Sequence, residues 1–234
     1  MNQKIALGLS GGVDSAAAAL LLREAGYEVH GFWLDLGIGS PEKAARAAAQ
    51  LDIPFGVLDV KERHEALVRA PFAEAYRAGR TPNPCVVCNP TVKLPALLEA
   101  AEAIGAGQIA TGHYARIEEK NGRPCLRRAD ALKDQSYMLS RVGPEILGKL
   151  LLPLADKTKP EIRALASSVG LSAAEPFRCL VKPRSRPTMY PAEVSPLEEG
   201  LCIRFDSPLR RIAPGQLAAG YDEDGFVLFA GTIC

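Results

Sequence analysis

Several things are scarce in this chain of 234 residues, and each scarcity removes a class of protein. No stretch approaches the roughly 20 consecutive apolar residues of a membrane-spanning helix, so no membrane partner is expected. Charge of one sign is not in excess: 28 Lys and Arg against 27 Asp and Glu leave a net charge of +1. That excludes a globally basic nucleic-acid binder but leaves room for a local basic patch. Internal repeats and low-complexity tracts are missing. The N-terminus runs from Met1 through Lys4 straight into IALGLS, without the apolar length or small-residue cleavage site of a secretory signal. The expected location is therefore cytoplasmic. In that compartment the six cysteines (85, 88, 125, 179, 202 and 234) read as free thiols, metal ligands or redox groups rather than a disulfide framework. One C-x-x-C occurs, in RTPNPCVVCNPTVK, which reads as a loop between prolines, and there is no second to complete a four-cysteine zinc site.

What is present is enough apolar residue, 47%, to bury a sizeable core. The first 60 residues alternate in the α/β manner: KIALGLS, SAAAALLLREAG, EVHGFWLDL, PEKAARAAAQL, PFGVLDV. Strand, helix, strand, helix, strand predicts a doubly wound parallel sheet. Ser40 before Pro41 suits a helix start, KERHEALVRAPFAEAYRAG reads as an amphipathic helix closed by Gly79, and TVKLPALLEAAEAIGA as a helix holding Pro95 in its first turn. QIATGHYARI supplies a further strand. From about Phe177 short apolar runs are split by Gly, Pro and Asp, the texture of a small β-barrel-like domain. The expected division is 1–174 for the sheet domain and 175–234 for the β domain.

LGLSGGVDS lies where the first strand hands over to the first helix. Small residues at Ser10, Gly11 and Gly12 let successive N–H groups converge on an anion, and the following helix adds its positive end. A bare SGG is equally a turn without a ligand. It is neither a Walker A loop nor a GxGxxG fingerprint. The longer SGGVDS resembles the PP-loop of the ATP pyrophosphatases, which cleave ATP between the α- and β-phosphates and adenylate a carbonyl oxygen. Three later segments, GRTPNPCVVCNPTVK, IATGHYARI and LKDQSYMLSRV, together with the tail IRFDSPLRRIAPGQLAAGYD, are similar in order and spacing to the tRNA-uridine 2-sulfurtransferases, the tRNA-specific 2-thiouridylases of the MnmA type.

That resemblance implies adenylation of O2 of the wobble uridine in tRNA, followed by sulfur attack on C2 and departure of AMP. It implies that Gly8, Leu9, Ser10, Gly11, Gly12, Val13, Asp14 and Ser15 bind ATP phosphates, with Asp14 organising Mg2+, and that Leu34 and Gly112 line the nucleotide site. Asn83, Pro84 and Cys85 would meet the target base, Cys88 would be the catalytic nucleophile, and Lys133, Asp134, Gln135, Arg184 and Ser185 would contact tRNA. Taken alone, His113 reads equally as a strand-end histidine and KDQSY as a polar helix start. Arg178, Lys182, Arg184 and Arg186 suit phosphate contacts or a charge-blunted β-edge.

The chain also departs from the family pattern. EIRALASSVGLSAAEP runs directly into FRCLVKPRSRP, with neither the segment bearing a second active cysteine nor a central domain. Cys179 fits the first strand of the β domain better than the missing segment. Cys85 then becomes the nearest residue able to share the sulfur chemistry with Cys88, as a redox pair or as ligands of a [4Fe-4S] cluster, which needs a third thiolate. The sulfur donor would be a persulfide carrier protein or free sulfide. Two other readings stay open: a PP-loop sulfurtransferase or amidotransferase acting on another RNA or a small molecule, and an RNA- or nucleotide-binding protein without turnover.

Overall fold

In the computed structural model, residues 3–129, 134–168, 177–184, 188–196, 200–209 and 212–233 are described. The chain divides into two compact units, Met1–Ser172 and Ala173–Cys234. In the first, β1 (Lys4–Gly8), α1 (Val13–Glu24), β2 (Glu28–Asp35), α2 (Glu42–Gln50) and β3 (Phe55–Asp59) follow one another as the alternating pattern requires. Three helical pieces follow, α3 (Lys61–His64), a π-turn over Glu65–Arg69 and α4 (Ala70–Arg77). A second composite run joins α5 (Pro84–Cys88), a π-turn over Asn89–Lys93 and α6 (Leu94–Ala103). Then come β4 (Gln108–Ala110), β5 (Ala115–Lys120), β6 (Arg123–Arg128), α7 (Ser136–Leu139), α8 (Pro144–Leu147), β7 (Leu150–Leu151) and α9 (Lys159–Ser168).

The strand order is β3-β2-β1-β4-β7, all parallel. Because side chains alternate along a strand, β1 serves two cores. Ile5 and Leu7 pack with the alanines Ala16–Ala19 of α1 and Ala44 and Ala48 of α2. Ala6 faces Leu94, Leu97 and Ala101 of α6. Both faces are covered, which is why Ile5, Ala6 and Leu7 at the centre of β1 are all apolar and buried. The chain winds outward from β1 in both directions, toward β2 and β3 on one side and β4 and β7 on the other. This leaves a crevice at the carboxyl ends of β1 and β4, the switch point where ligands of such sheets bind.

The second unit is an antiparallel sheet of β8 (Phe177–Lys182), β9 (Tyr190–Pro196), β10 (Leu201–Phe205), β11 (Leu217–Tyr221) and β12 (Val227–Thr232), in the order β10-β9-β8-β11-β12. Its core is small: Val181, Ala192 and Val194 are fully buried, with Cys179, Ile203 and Phe229 packed on them. No described helix is long and apolar enough to cross a membrane.

Local expectations differ in four places. α2 begins one residue late, at Glu42 with Pro41 as its cap, because Ser40 turns its hydroxyl to the Glu42 carboxylate instead of to a backbone N–H. QIATGHYARI is two strands, parted at Thr111–Tyr114. Asn121 and Gly122, both at positive φ, close a β5–β6 hairpin that the dipeptide Asn-Gly signals. The amphipathic helix after β3 buries His64 and Val68 but nothing in α4.

Candidate active site

Two elements at the carboxyl edge of the parallel sheet hold the residues expected to carry the chemistry. The first is the turn after β1. Ser15, buried in the first turn of α1, accepts from the Ser10 N–H (3.2 Å) and donates to the Gly12 carbonyl (3.0 Å), closing the loop on itself. Gly11 has φ +81°, and a Cβ there would lie 2.5 Å from the Lys43 carbonyl carbon and 2.6 Å from the Ala44 nitrogen. The first turn of α2 thus presses on the loop and admits only glycine. Opposite, a Cβ on Gly112 would lie 3.1 Å from the Ser15 nitrogen, so the segment after β4 closes on the same turn. Gly12 caps α1 without any side-chain hydrogen bond, leaving the first-turn N–H groups of a 12-residue helix to an outside acceptor. Gly8, Leu9, Val13 and Asp14 complete this turn. Leu34, near the end of β2, packs between the α6 core and the cluster around Cys88.

The second element is α5. Expected as a loop, the cysteine stretch is helical because Asn83 caps it, its side chain accepting from the Cys85 N–H at 3.0 Å, and Pro84 pre-sets the first turn. Cys85 is exposed. Cys88 is 8% exposed, packed with Val60, Val68 and Val92 against Leu34 and Leu36 at the carboxyl end of β2 and Leu58 near that of β3. Burial pushes the Cys88 thiol above its ordinary value; the Lys93 charge and main-chain N–H pull it back, and Cys85 adds to the rise. Lys93 sits at the end of the π-turn, a distortion common at functional sites. The same Lys93 charge, after burial, holds His113 down to a pKa of about 3, so its ring is neutral and hydrogen-bonded to Thr111 Oγ1 at 2.8 Å. Lys93 is half-buried and pairs with no carboxylate among the described residues.

A hydrogen-bonded bracket joins the two elements. Tyr114, buried, donates its hydroxyl to Asp14 at 2.7 Å, and its N–H donates to Gln135 Oε1 at 3.0 Å. The Gln135 carbonyl accepts from the Met138 N–H at 2.9 Å, and the Met138 carbonyl accepts from Asn89 Nδ2 at 2.9 Å, one residue past Cys88. Asn89 is 1% exposed, and its Oδ1 has no partner among the described residues. Asp134 accepts from the Ala129 and Ser136 N–H groups and the Ser136 hydroxyl, which hold its carboxyl low against the upward push of burial. The side-chain oxygens of Asp134 and Gln135 are thus engaged internally, and the segment is a brace as well as a candidate RNA contact. Lys93, Tyr114 and Asn89 escaped the sequence reading because their role comes from π-turn register and long-range pairing. Lys133 and Ser185 lie outside the described residues. Arg178 is ion-paired with Asp206, which takes it out of the basic cluster, while Arg184 remains at the bend after β8.

The donor set does not suit an iron–sulfur cluster. Among the described residues no three of His, Cys, Asp or Glu come together as a metal site, and Cys179 faces the β8 core in the other unit. The turn does suit a nucleotide: the first-turn N–H groups of α1 have no side-chain cap, and Asp14 lies in that same turn.

A family model described as tRNA methyl transferase HUP domain matches residues 3–177. The chain belongs to this family. A second model, described as an aminomethyltransferase beta-barrel domain, matches 161–233. A Lachnoclostridium phytofermentans protein named tRNA-specific 2-thiouridylase MnmA is 44% identical over 190 residues, 74% of this chain and 53% of that protein. A Thermus thermophilus protein of the same name is 45% identical over 193 residues, 74% of this chain and 52% of that one. The chain thus spans about half the length of these curated relatives. Among solved structures, a Methanocaldococcus jannaschii protein described as a predicted subunit of tRNA methyltransferase aligns at 18% identity, covering 77% of this chain and 78% of that one, with a TM-score of 0.47.

Proposed function

We propose that the protein is an ATP-dependent tRNA-uridine 2-sulfurtransferase acting in the cytoplasm, with residues 1–174 as the catalytic domain and 175–234 as a tRNA-contacting domain. The observation that carries the reading is the placement of a buried thiol, Cys88, and a glycine-only phosphate turn on one sheet edge, tied by the Tyr114–Gln135–Met138–Asn89 bracket. Phosphate cradles and thiols are each common; a braced pair is what adenylation followed by sulfur attack requires. The family description speaks of methyl transfer, but a thiol beside a phosphate cradle supports the chemistry in the relatives' names.

ATP with Mg2+ supplies an adenylyl group that turns uridine O2 into a leaving group. Gly11, Gly12 and the first turn of α1 hold the phosphates, Asp14 bears on the metal, and Leu34 and Gly112 border the base. Asn83, Pro84 and Cys85 meet the uridine. A persulfide on Cys88, loaded by sulfane-sulfur transfer from a carrier persulfide, whose thiol is returned, or from sulfide with a disulfide as the two-electron oxidant, attacks C2 through its outer sulfur as AMP departs. The Cys85 thiolate then attacks Cys88 Sγ, releasing 2-thiouridine and leaving a Cys85–Cys88 disulfide, which an external thiol reduces. Arg184 and Ser185 contact tRNA.

The test is anaerobic incubation with ATP, unmodified tRNA and either sulfide with a small-molecule disulfide as oxidant or a persulfide donor, with 2-thiouridine read by mass spectrometry. Product is expected, and Cys88→Ser should lower it by roughly a thousandfold or more. No product with either donor overturns the proposal. Release of AMP without RNA would move the substrate to a small molecule.

A further inference from the structure

The helical run before the cysteines presents a surface the thiolation chemistry leaves unused. Lys61–Arg77 starts with a buried stripe, His64 and Val68, yet no residue from Arg69 to Arg80 is buried. The change has a local cause. The π-turn over Glu65–Arg69 inserts an extra residue, which rotates α4 by about 100° relative to a continuous α-helix. The rotated face holds Phe72 and Tyr76, 36% and 67% exposed, with ring centroids 6.2 Å apart and planes 16° from parallel. Arg77 and Arg80 flank them, and neither meets a carboxylate among the described residues, whereas Arg69 is taken up by Glu65 at 2.9 Å. Arg80 is three residues from Asn83, the cap of the cysteine helix, and that helix packs on the Glu65–Arg69 turn.

We propose that Phe72 and Tyr76 form a stacking platform for unpaired nucleotides beside the target uridine, with Arg77 and Arg80 on their phosphates. The proposal rests on the reading of the chain as an RNA-modifying enzyme and names a further RNA-binding surface for it. Near-parallel exposed rings accept the face of any base, and flanking cations follow the backbone; together they suit single-stranded RNA and leave base-paired RNA, whose bases are already stacked, without a purchase. A protein partner would be expected to meet an apolar face with a charge-poor centre, and here two unpaired arginines border the rings.

The test uses the intact chain and fluorescence anisotropy with three RNAs: unmodified tRNA, its anticodon stem-loop, and a duplex of equal length. Phe72→Ala/Tyr76→Ala should weaken stem-loop binding about ten- to a hundredfold while leaving duplex binding and the melting temperature unchanged, since α4 buries nothing. Arg77→Ala/Arg80→Ala should weaken all three RNAs and flatten the salt dependence. The platform is overturned if wild type and the aromatic variant bind the stem-loop equally, or if sedimentation shows a dimer that the aromatic variant splits. Absence of RNA binding by the wild-type chain would instead overturn the underlying enzyme reading as well, and the thiolation assay reports that separately.

Discussion

The phosphate turn and the cysteine helix stand on the same edge of one sheet, yet they are held there by different physics. Around Gly11 the site is backbone: a positive φ, a neighbouring helix within what would be Cβ contact, and a serine hydroxyl closing the loop. Around Cys88 the site is side chain: apolar walls raise the thiol and one lysine charge opposes them. The turn should therefore be intolerant of added atoms and indifferent to pH. The helix should tolerate modest repacking and respond to pH and to charge.

The largest effect is expected from adding atoms to the turn. Gly11→Ala places a methyl group against the Lys43 and Ala44 backbone in a left-handed conformation, a strain of about 1–3 kcal/mol before the clash is counted. The melting temperature should fall by roughly 5–10 °C and ATP affinity by more than about tenfold. Gly12→Ala is the control within the loop: its φ is −83° and its Cβ would meet only Ser10 Oγ, at 3.5 Å. It should leave the melting temperature nearly unchanged, and equal destabilisation by both substitutions would refute the backbone account.

Next comes the charge at the helix. Because burial holds the Cys88 thiol above its ordinary value near 9, the thiolate is the minor form at neutral pH, and the alkylation rate of Cys88 should still be climbing as pH rises past 9. Lys93→Met removes the main opposing charge and should shift that profile to higher pH, slowing alkylation at pH 8 by about tenfold for each unit of pKa. Lys93→Arg should restore it. A profile unmoved by Lys93→Met would mean that the lysine only packs.

Much of this contrast is legible in the sequence, and the rest is not, for physical reasons. A backbone site leaves its mark locally: SGGVDS needs small residues at fixed positions, and strand–helix alternation places it at the end of β1. A side-chain site depends on register and distant partners. The stretch NPCVVCN reads as a loop between prolines, but Asn83 supplies a cap and the π-turn after Cys88 absorbs Pro90, so the run stays helical into α6. Pro95 falls in the first turn of α6, directly after the π-turn. Lys93 and Asn89 carry no motif of their own. Gln135 bonds across 21 residues to Tyr114, and Asn89 across 49 to Met138, separations that no local periodicity encodes.

The smallest and most diagnostic effect concerns the bracket between the two regions. Tyr114→Phe removes the hydroxyl that donates to Asp14, and Asn89→Ala removes the amide that donates to the Met138 carbonyl. Each loss should cost about 1–2 kcal/mol, a fall of a few degrees in melting temperature, with the tyrosine ring still filling its place in the core. If the turn and the cysteine helix are independent, the two costs add within about 0.5 kcal/mol, as expected of sites without shared partners. If the bracket is one unit, cutting either end releases the other, and the double variant should be less destabilised than the sum by about 1 kcal/mol. The same cycle read on Cys88 alkylation separates packing from coupling: Tyr114→Phe, whose ring packs in a different core cluster from the thiol, should change its rate in wild type but not in an Asn89→Ala background.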